Sequence, residues 1–350
     1  MPKESGHITS LEISFSHAAA AISLLGALLN LLFIRTLLKH RATLLTWSTS
    51  YIGVTVFILS IVSVFHGSLM AAECELWTAS SAGSIGLLDN PTLSSALAGM
   101  GYCLLAFVFT CNFMLALERY WTIKYSEKLP QAAVIALITT CGSMCCIFII
   151  AFSLTPSTSW DYLPMGKPVD MDNSPLPWHH ISNMLLLLGQ LVFVAEVIGI
   201  CVVYENTYFN IAALYEMSHD TNEEEARERC QAEVQVQRSI LLRCIFMSIG
   251  IVVFYVPNLV LVTVAIVRPF FFSKHLSELS YAWMVCMTTI IPAFDPLWTP
   301  VLILMFQENF GTAFVKDYSF IFRHLGGRRD DEKTRTAAEG AQLDTVLGKG

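Results

Sequence analysis

The chain has 350 residues, of which 54% are hydrophobic and only 14% are charged, and its formal net charge at pH 7 is -7. Together with a mean hydropathy of +0.57, this composition excludes an ordinary soluble domain and indicates a membrane protein. We expect no nucleic-acid partner.

Seven apolar windows follow one another along the chain, and each is long enough for a helix to cross a bilayer, which takes about 20 residues. They lie at about 17–38, 45–70, 97–117, 132–155, 181–204, 240–267 and 280–306. The polar gaps between them are too short for a second folded domain. The pattern therefore predicts an all-α membrane protein, a seven-transmembrane helix bundle over residues 17–306.

Shorter segments flank this bundle. Residues 1–16 form the predicted N-terminal head, and residues 323–350 are rich in glycine and mixed charge, which is typical of a disordered tail. Between bundle and tail, Phe306, Phe310 and Phe314 are spaced four apart. That spacing puts them on one helix face and predicts a short amphipathic eighth helix at 307–322 on the inner leaflet.

Lysine and arginine set the orientation, because they accumulate in cytoplasmic loops. If the N-terminus is extracellular, 17 of the 21 lie on the cytoplasmic side. We therefore predict a multi-pass protein of the plasma membrane with a cytoplasmic C-terminus. The first apolar run has span length and no clear cleavage site, so it is expected to act as its own signal anchor.

The cysteines predict neither a disulfide nor a metal site. Only Cys74 is expected near the outer face, which leaves it without an outer partner. The run Cys141–Cys146 lacks the second ligand cluster that a zinc site needs. No cofactor is expected.

Charged and proline residues mark the third, sixth and seventh spans. Glu118 and Arg119 end the third span, Asp295 lies beside prolines in the seventh, and "FYVP" ends at Pro257 in the sixth. An arginine at a helix end can simply extend to the lipid headgroups. Two proline-bent helices around a charged third helix nevertheless favour a conformational switch over a pore.

These features resemble a divergent rhodopsin-like (class A) G-protein-coupled receptor. "ERY" resembles the family's Asp/Glu-Arg-Tyr motif, "DPLWT" its seventh-helix motif and "FYVP" its sixth-helix motif, while Asn30 matches the asparagine of helix one. The switch residues that the resemblance implies are Glu118, Arg119, Tyr120, Tyr255, Pro257, Asp295, Pro296 and Thr299.

The resemblance implies a mechanism and partners. A small or lipid-like ligand binds between helices three, five, six and seven, helix six moves outward, and Arg119 contacts the α subunit of a heterotrimeric G protein. Glu118 would restrain Arg119 at rest. Apart from this ligand and the G protein, only membrane lipids are implied as partners, and no enzymatic activity is expected.

Several positions depart from the family pattern. Thr299 replaces a tyrosine and Tyr255 a tryptophan, while Val108 replaces a serine that would contact sodium, so a sodium site is doubtful. Ser94 replaces the cysteine of the family's bridging disulfide. Gly101 stands where amine receptors carry an aspartate, which argues against a monoamine ligand.

A family-type alignment also gives a weak prediction of the ligand pocket, although plain helix packing explains the same residue types. The residues are Tyr102, Leu105, Ala106, Glu196, Asn258, Leu259 and Trp283.

Three rival functions make different demands on the sequence. A retinal protein needs a lysine in the seventh helix, and none occurs between Ser280 and Gln307. An intramembrane hydrolase needs clustered His, Asp and Glu, whereas His66, Glu196 and Asp295 are scattered. A seven-helix membrane transporter remains the alternative to a receptor.

Overall fold

A computed structural model describes most of the helical part of the chain. The described residues are 10–45, 51–81, 91–154, 177–219, 286–306 and 308–326, with residue 283 and short pieces between 242 and 264.

The described residues are helical almost throughout. The long helices are α1 (Ser10–Lys39), α2 (Ile52–Ser81), α3 (Pro91–Tyr125), α4 (Gln131–Leu154) and α5 (Pro177–His219), and a single turn, Arg41–Leu44, follows α1. Helix α6 is described in part, within Val252–Leu261. Helix α7 consists of a π-helical turn, Cys286–Ile290, and two α-helical pieces, Ile291–Ala293 and Asp295–Phe306, and α8 spans Glu308–Gly326.

Six of the described helices, α1 to α5 and α7, are long and apolar enough to cross a membrane. Each keeps large apolar side chains exposed, among them Leu28 on α1, Phe65 on α2 and Ile135 on α4. A soluble domain buries such a surface, whereas a bilayer solvates it. The described helices therefore form a multi-pass membrane bundle.

Helix α3 lies at the centre of the bundle. It packs against α2, α4 and α5, while α1 packs against α2 and α7. The residues between them form one apolar core that includes Phe33, Phe109, Phe148, Phe193 and Tyr255, each at most 2% exposed. We call the end of the bundle where α3 finishes the Arg119 end, and the other the Glu73 end.

Several helix boundaries extend beyond the sequence-based expectation, namely both ends of α3 (predicted 97–117) and α5 (predicted 181–204), the start of α1 and the end of α2. Helix α1 begins at Ser10, inside the predicted head, because the Ser16 hydroxyl donates a hydrogen bond to the Cys74 carbonyl (2.9 Å) and fixes this turn on α2. Helix α2 runs to Ser81, eleven residues beyond the predicted span end at Met70. A hydropathy window stops at acidic residues, although an acidic side chain can continue a helix.

Helix α7 is broken where prolines remove backbone donors. Phe294 lies in a turn between the two α-helical pieces, and the π-helical turn before them is of a kind that often marks functional sites. Asn30 of α1 donates from Nδ2 to the Pro296 carbonyl (2.5 Å) and to the Gly26 carbonyl (2.9 Å). A methyl group on Gly26 would lie 2.8 Å from the Pro296 Cβ, so only glycine permits this close approach.

The predicted eighth helix is present as α8 and packs against α1. Its buried face consists of Phe310, Phe314 and Tyr318, and both phenylalanine rings contact the ring of Phe33, with centroids 6.1 and 6.4 Å away. The Tyr318 hydroxyl donates to the Leu32 carbonyl (3.0 Å).

Charged groups add a second attachment between α8 and the end of α1. Lys39 forms an ion pair with Asp317, and the His40 Nε2 lies 3.3 Å from the same carboxylate oxygen. Apolar packing and ionic contacts thus hold the two helices side by side.

Candidate functional site

Glu118 joins three helices at the Arg119 end. It is 1% exposed. Its Oε1 accepts a hydrogen bond from the Tyr51 N–H (3.1 Å), and its Oε2 accepts one from the Leu129 N–H (2.8 Å). Tyr51 immediately precedes α2, and Leu129 precedes α4 by two residues. One carboxylate therefore holds the start of α2 and the approach to α4 against the end of α3; we call this arrangement the Glu118 clamp.

Packing and charge support the clamp. Tyr51, Leu129 and Val134 form a small buried cluster, and the Lys128 ammonium lies 5.5 Å from the centre of the Tyr51 ring. The start of a helix carries partial positive charge from its free N–H groups, which stabilises a nearby carboxylate. The clamp therefore brings the Glu118 carboxylate to the start of α2 and close to the start of α4.

Arg119 is buried beside the clamp, at 8% exposed. An arginine that extends to lipid headgroups keeps its guanidinium in contact with water, so this burial favours a role inside the bundle. Tyr120 faces a different environment, because its hydroxyl accepts a hydrogen bond from the exposed Lys124 ammonium (2.9 Å). Two of the three "ERY" residues are thus buried, and the third is half-buried.

A column of aromatic rings crosses the middle of the bundle. The Phe109 ring of α3 stacks on Phe193 of α5 and tilts against Tyr255 of α6, each with centroids 4.9 Å apart. Phe193 in turn stacks on Phe148 of α4 at 5.4 Å, and Phe148 contacts Tyr102 of α3 at 5.1 Å. Rotation of Tyr255 would therefore disturb packing on three other helices.

Helices α6 and α7 meet through polar and aromatic groups. Asp295 is 3% exposed and lies near the buried hydroxyl of Tyr255. The Trp298 indole donates from Nε1 to the Phe246 carbonyl (3.2 Å), and its ring meets Phe254 edge-on at 5.9 Å. The Phe254 ring also stacks on Phe294 of α7 at 6.5 Å, so aromatic and polar contacts together join α6 to α7.

The remaining predicted switch residues lie along the same two helices. Pro257 is half-buried in α6, Pro296 is the carbonyl acceptor for Asn30, and Thr299 is 6% exposed in α7. The structure thus places all three residues inside the bundle. Pro296 and Thr299, the two that belong to α7, face the core or α1.

Glu196 lies deeper in the bundle than a residue that lines a ligand pocket near Tyr102 would lie. It is 4% exposed, and its Oε1 accepts a hydrogen bond from the Thr110 hydroxyl (3.1 Å), whereas Oε2 has no partner among the described residues. Thr110 follows Tyr102 by eight residues on α3, a separation of about 12 Å along a helix. Glu196 therefore occupies the middle of the bundle.

The other predicted pocket residues divide into two groups. Leu105, Ala106 and Leu259 are buried in the same core cluster, against which Tyr102 packs. Trp283 is 56% exposed, and Asn258 lies outside the described residues. The structure thus brings four of the seven together.

Two buried polar residues of α2 were not used in the sequence-based pocket. Glu73 is 5% exposed and His66 is 3% exposed. The predicted second span ended before Glu73, so its burial was missed. A carboxylate seven residues after a histidine, hence on the same helix face, is the signal that a longer span would have revealed.

Comparison with solved structures identifies the architecture. The chain is similar to squid rhodopsin, with a TM-score of 0.64 and 13% sequence identity over 89% of this chain and 86% of that one. The chain has a rhodopsin-like fold. This fold confirms the predicted seven-helix class and the structural side of the predicted resemblance.

Sequence comparisons add no family to the rhodopsin-like fold. No family model matches the chain, and no curated protein sequence matches it. Within the rhodopsin-like fold, the functional assignment therefore depends on the side chains of this molecule.

Proposed function

We propose that this protein is a G-protein-coupled receptor of the plasma membrane, which converts binding of a small or lipid-like ligand into activation of a heterotrimeric G protein. The observation that carries the proposal is the buried Glu118 and Arg119 at the end of the central helix of a rhodopsin-like fold. Buried ionisable groups in membrane helices are costly and usually functional.

The proposed mechanism is a shift between two arrangements of the bundle. A ligand drives the shift only if it binds one arrangement more tightly than the other. In the active arrangement α6 moves away from α7, which breaks the Trp298 contact with Phe246 and exposes Arg119 to the G-protein α subunit. The aromatic contact between Tyr255 and Phe109 couples α6 to the ligand side.

The proposal includes an orientation, with the Arg119 end in the cytoplasm. It is supported by the concentration of lysine and arginine in the loops at that end. A tag placed before Met1 should be reached by antibody on intact cells, and a tag after Gly350 only after permeabilisation. Labelling of the second tag on intact cells would contradict the orientation.

The decisive test of function is nucleotide exchange on purified G-protein α subunits of several classes, added to the purified protein in lipid nanodiscs. Arg119→Ala should abolish any stimulation while leaving surface expression intact. Arg35→Ala is the matched control, because Arg35 is exposed on α1 toward the same end of the bundle and should leave exchange unchanged.

Solute transport is the alternative that this experiment also addresses. A transporter would give solute flux in proteoliposomes and no stimulated exchange with any α subunit. That combination would refute the receptor proposal.

A further inference from the structure

Glu73 is a buried carboxylate that has no polar partner among the described residues. It is 5% exposed on the inward face of α2, and within the described part of the chain no group forms a hydrogen bond or an ion pair with it. The contrast with Glu75 is informative, because Glu75 is half exposed and pairs with the His17 ring (2.9 Å). The His17 ring of α1 thus contacts the exposed carboxylate and not the buried one.

Gly101 of α3 faces this carboxylate. A methyl group on Gly101 would lie 3.9 Å from the Glu73 Oε1 and 3.8 Å from the Leu69 Cδ2. Both distances are ordinary van der Waals contacts, so a methyl group would fit there. Helix α3 therefore presents only a glycine to the carboxylate.

Aromatic side chains lie near Glu73. Tyr102 lies beside Glu73, and its ring packs on Phe148 and Phe152, with centroids 5.1 and 5.4 Å away. Trp77, one turn further along α2, is 3% exposed. Aromatic faces attract cations as well as apolar groups, so the site suits a cation attached to an apolar body.

His66 supplies a second polar group on the same face of α2. It is 3% exposed, and its Nδ1 has no hydrogen-bond partner among the described residues. It precedes Glu73 by seven residues, which is about 10 Å along the helix. Two unpartnered polar groups on one buried stripe indicate a ligand site better than either does alone.

We propose that Glu73 is the counter-ion for a protonated amine on the receptor's ligand, with the ammonium bound on the Gly101 side of the carboxylate. An isolated carboxylate is costly to bury, and a bound cation removes that cost. Gly101 argued against a monoamine because helix three offers no acid there; in the structure α2 supplies the acid to the same place. This assignment of ligand class rests on the proposed receptor function.

The test measures thermal unfolding of the full chain in nanodiscs of zwitterionic lipid at neutral pH. The probes are phenethylamine, its neutral isostere phenethyl alcohol and the anion hydrocinnamate, each at millimolar concentration. A ligand that binds only the folded state raises the midpoint. Phenethylamine should raise it by about 2 °C or more, whereas the alcohol and the anion should not.

Three variants locate the effect. Glu73→Gln should abolish the amine shift, while Glu75→Gln, the matched change at the exposed carboxylate, should retain it. Gly101→Ala should fold normally, because the added methyl fits, and should reduce the shift by crowding the ammonium that binds beside Glu73. The proposal is overturned if phenethylamine gives no shift, if the alcohol matches it, or if Glu73→Gln or Gly101→Ala responds as the unmodified chain does.

These readouts need no G protein. An amine shift that depends on Glu73, combined with no stimulated exchange, would refute the receptor proposal and leave the site standing. Stimulated exchange that requires Arg119, combined with no amine shift, would refute the site alone.

Discussion

The Glu118 clamp can be tested by removing its charge while preserving its shape. In Glu118→Gln, the amide oxygen can still accept one hydrogen bond, but the amide nitrogen replaces the second acceptor. Either the Tyr51 N–H or the Leu129 N–H then faces a donor instead of a carboxylate oxygen. The variant therefore loses one of two charge-assisted bonds.

The size of the loss follows from hydrogen-bond energetics. A bond to a charged group contributes about 1.5–3 kcal/mol, and an unsatisfied buried N–H costs a similar amount. We expect a net loss of about 2 kcal/mol for local opening, which is roughly a 30-fold change in equilibrium because 1.4 kcal/mol is tenfold. Amide protection at Tyr51, at Leu129 or at both should fall by about this factor.

Hydrogen–deuterium exchange of the protein in nanodiscs measures this directly, at the peptides that contain these two amides. Glu127→Gln is the matched control, because Glu127 is exposed in the same loop and its change should leave protection unaltered. Basal nucleotide exchange, measured in parallel, should rise several-fold in Glu118→Gln if the clamp belongs to the resting arrangement. Unchanged protection at both amides would refute the clamp itself.

Three further predictions concern the attachments of α1. Asn30→Ala should lower the free energy of unfolding by about 1–3 kcal/mol, seen as a lower thermal midpoint, whereas Asn206→Ala, which removes a similar bond on an exposed helix face, should have little effect. Tyr318→Phe should cost about 1 kcal/mol because the hydrogen bond from the Tyr318 hydroxyl to the Leu32 carbonyl is lost; an unchanged midpoint would show that this bond does not stabilise the fold, since the Thr36 hydroxyl also donates to the same carbonyl. Although burial opposes it, hydrogen bonding from two basic side chains lowers the pKa of Asp317 below its usual value. The stabilisation it gives α8 is therefore present above about pH 4, the usual Asp range, and is lost as the pH falls further. Asp317→Asn should abolish this part of the acid dependence in thermal-unfolding scans.

Sequence patterns predicted those helices whose position depends on the spacing of apolar residues. The spacing of Phe310 and Phe314 placed α8 on the correct segment, because amphipathic periodicity is a local property. The prediction for the end of α2 was wrong for the opposite reason. Its last turns contain Glu73. A hydropathy window counts this acidic residue against a membrane span, although Glu73 faces the interior of the bundle.

The site required contacts that are remote in sequence. The residues "ERY" predicted Arg119 as the neighbour that matters to Glu118, whereas the hydrogen bonds found at both carboxylate oxygens come from backbone groups 67 and 11 positions away. The depth of Glu196 was likewise fixed only by its bond to Thr110, 86 positions earlier. Residue type indicates that a charge matters, but partner identity depends on how the helices pack.

The attachment of α1 to α7 and α8 has a consequence for biogenesis. Asn30 bonds to a carbonyl 266 positions later, and Leu32 accepts from a hydroxyl 286 positions later. At typical translation rates of 5–20 residues per second, the first helix waits on the order of tens of seconds in the membrane before its last partners are made. During that interval the close-packing groove at Gly26 and the ring of Phe33 stay uncovered, available to an insertion chaperone. A chain truncated before α7 would keep them uncovered permanently, which gives membrane quality control a physical means of recognising an incomplete protein.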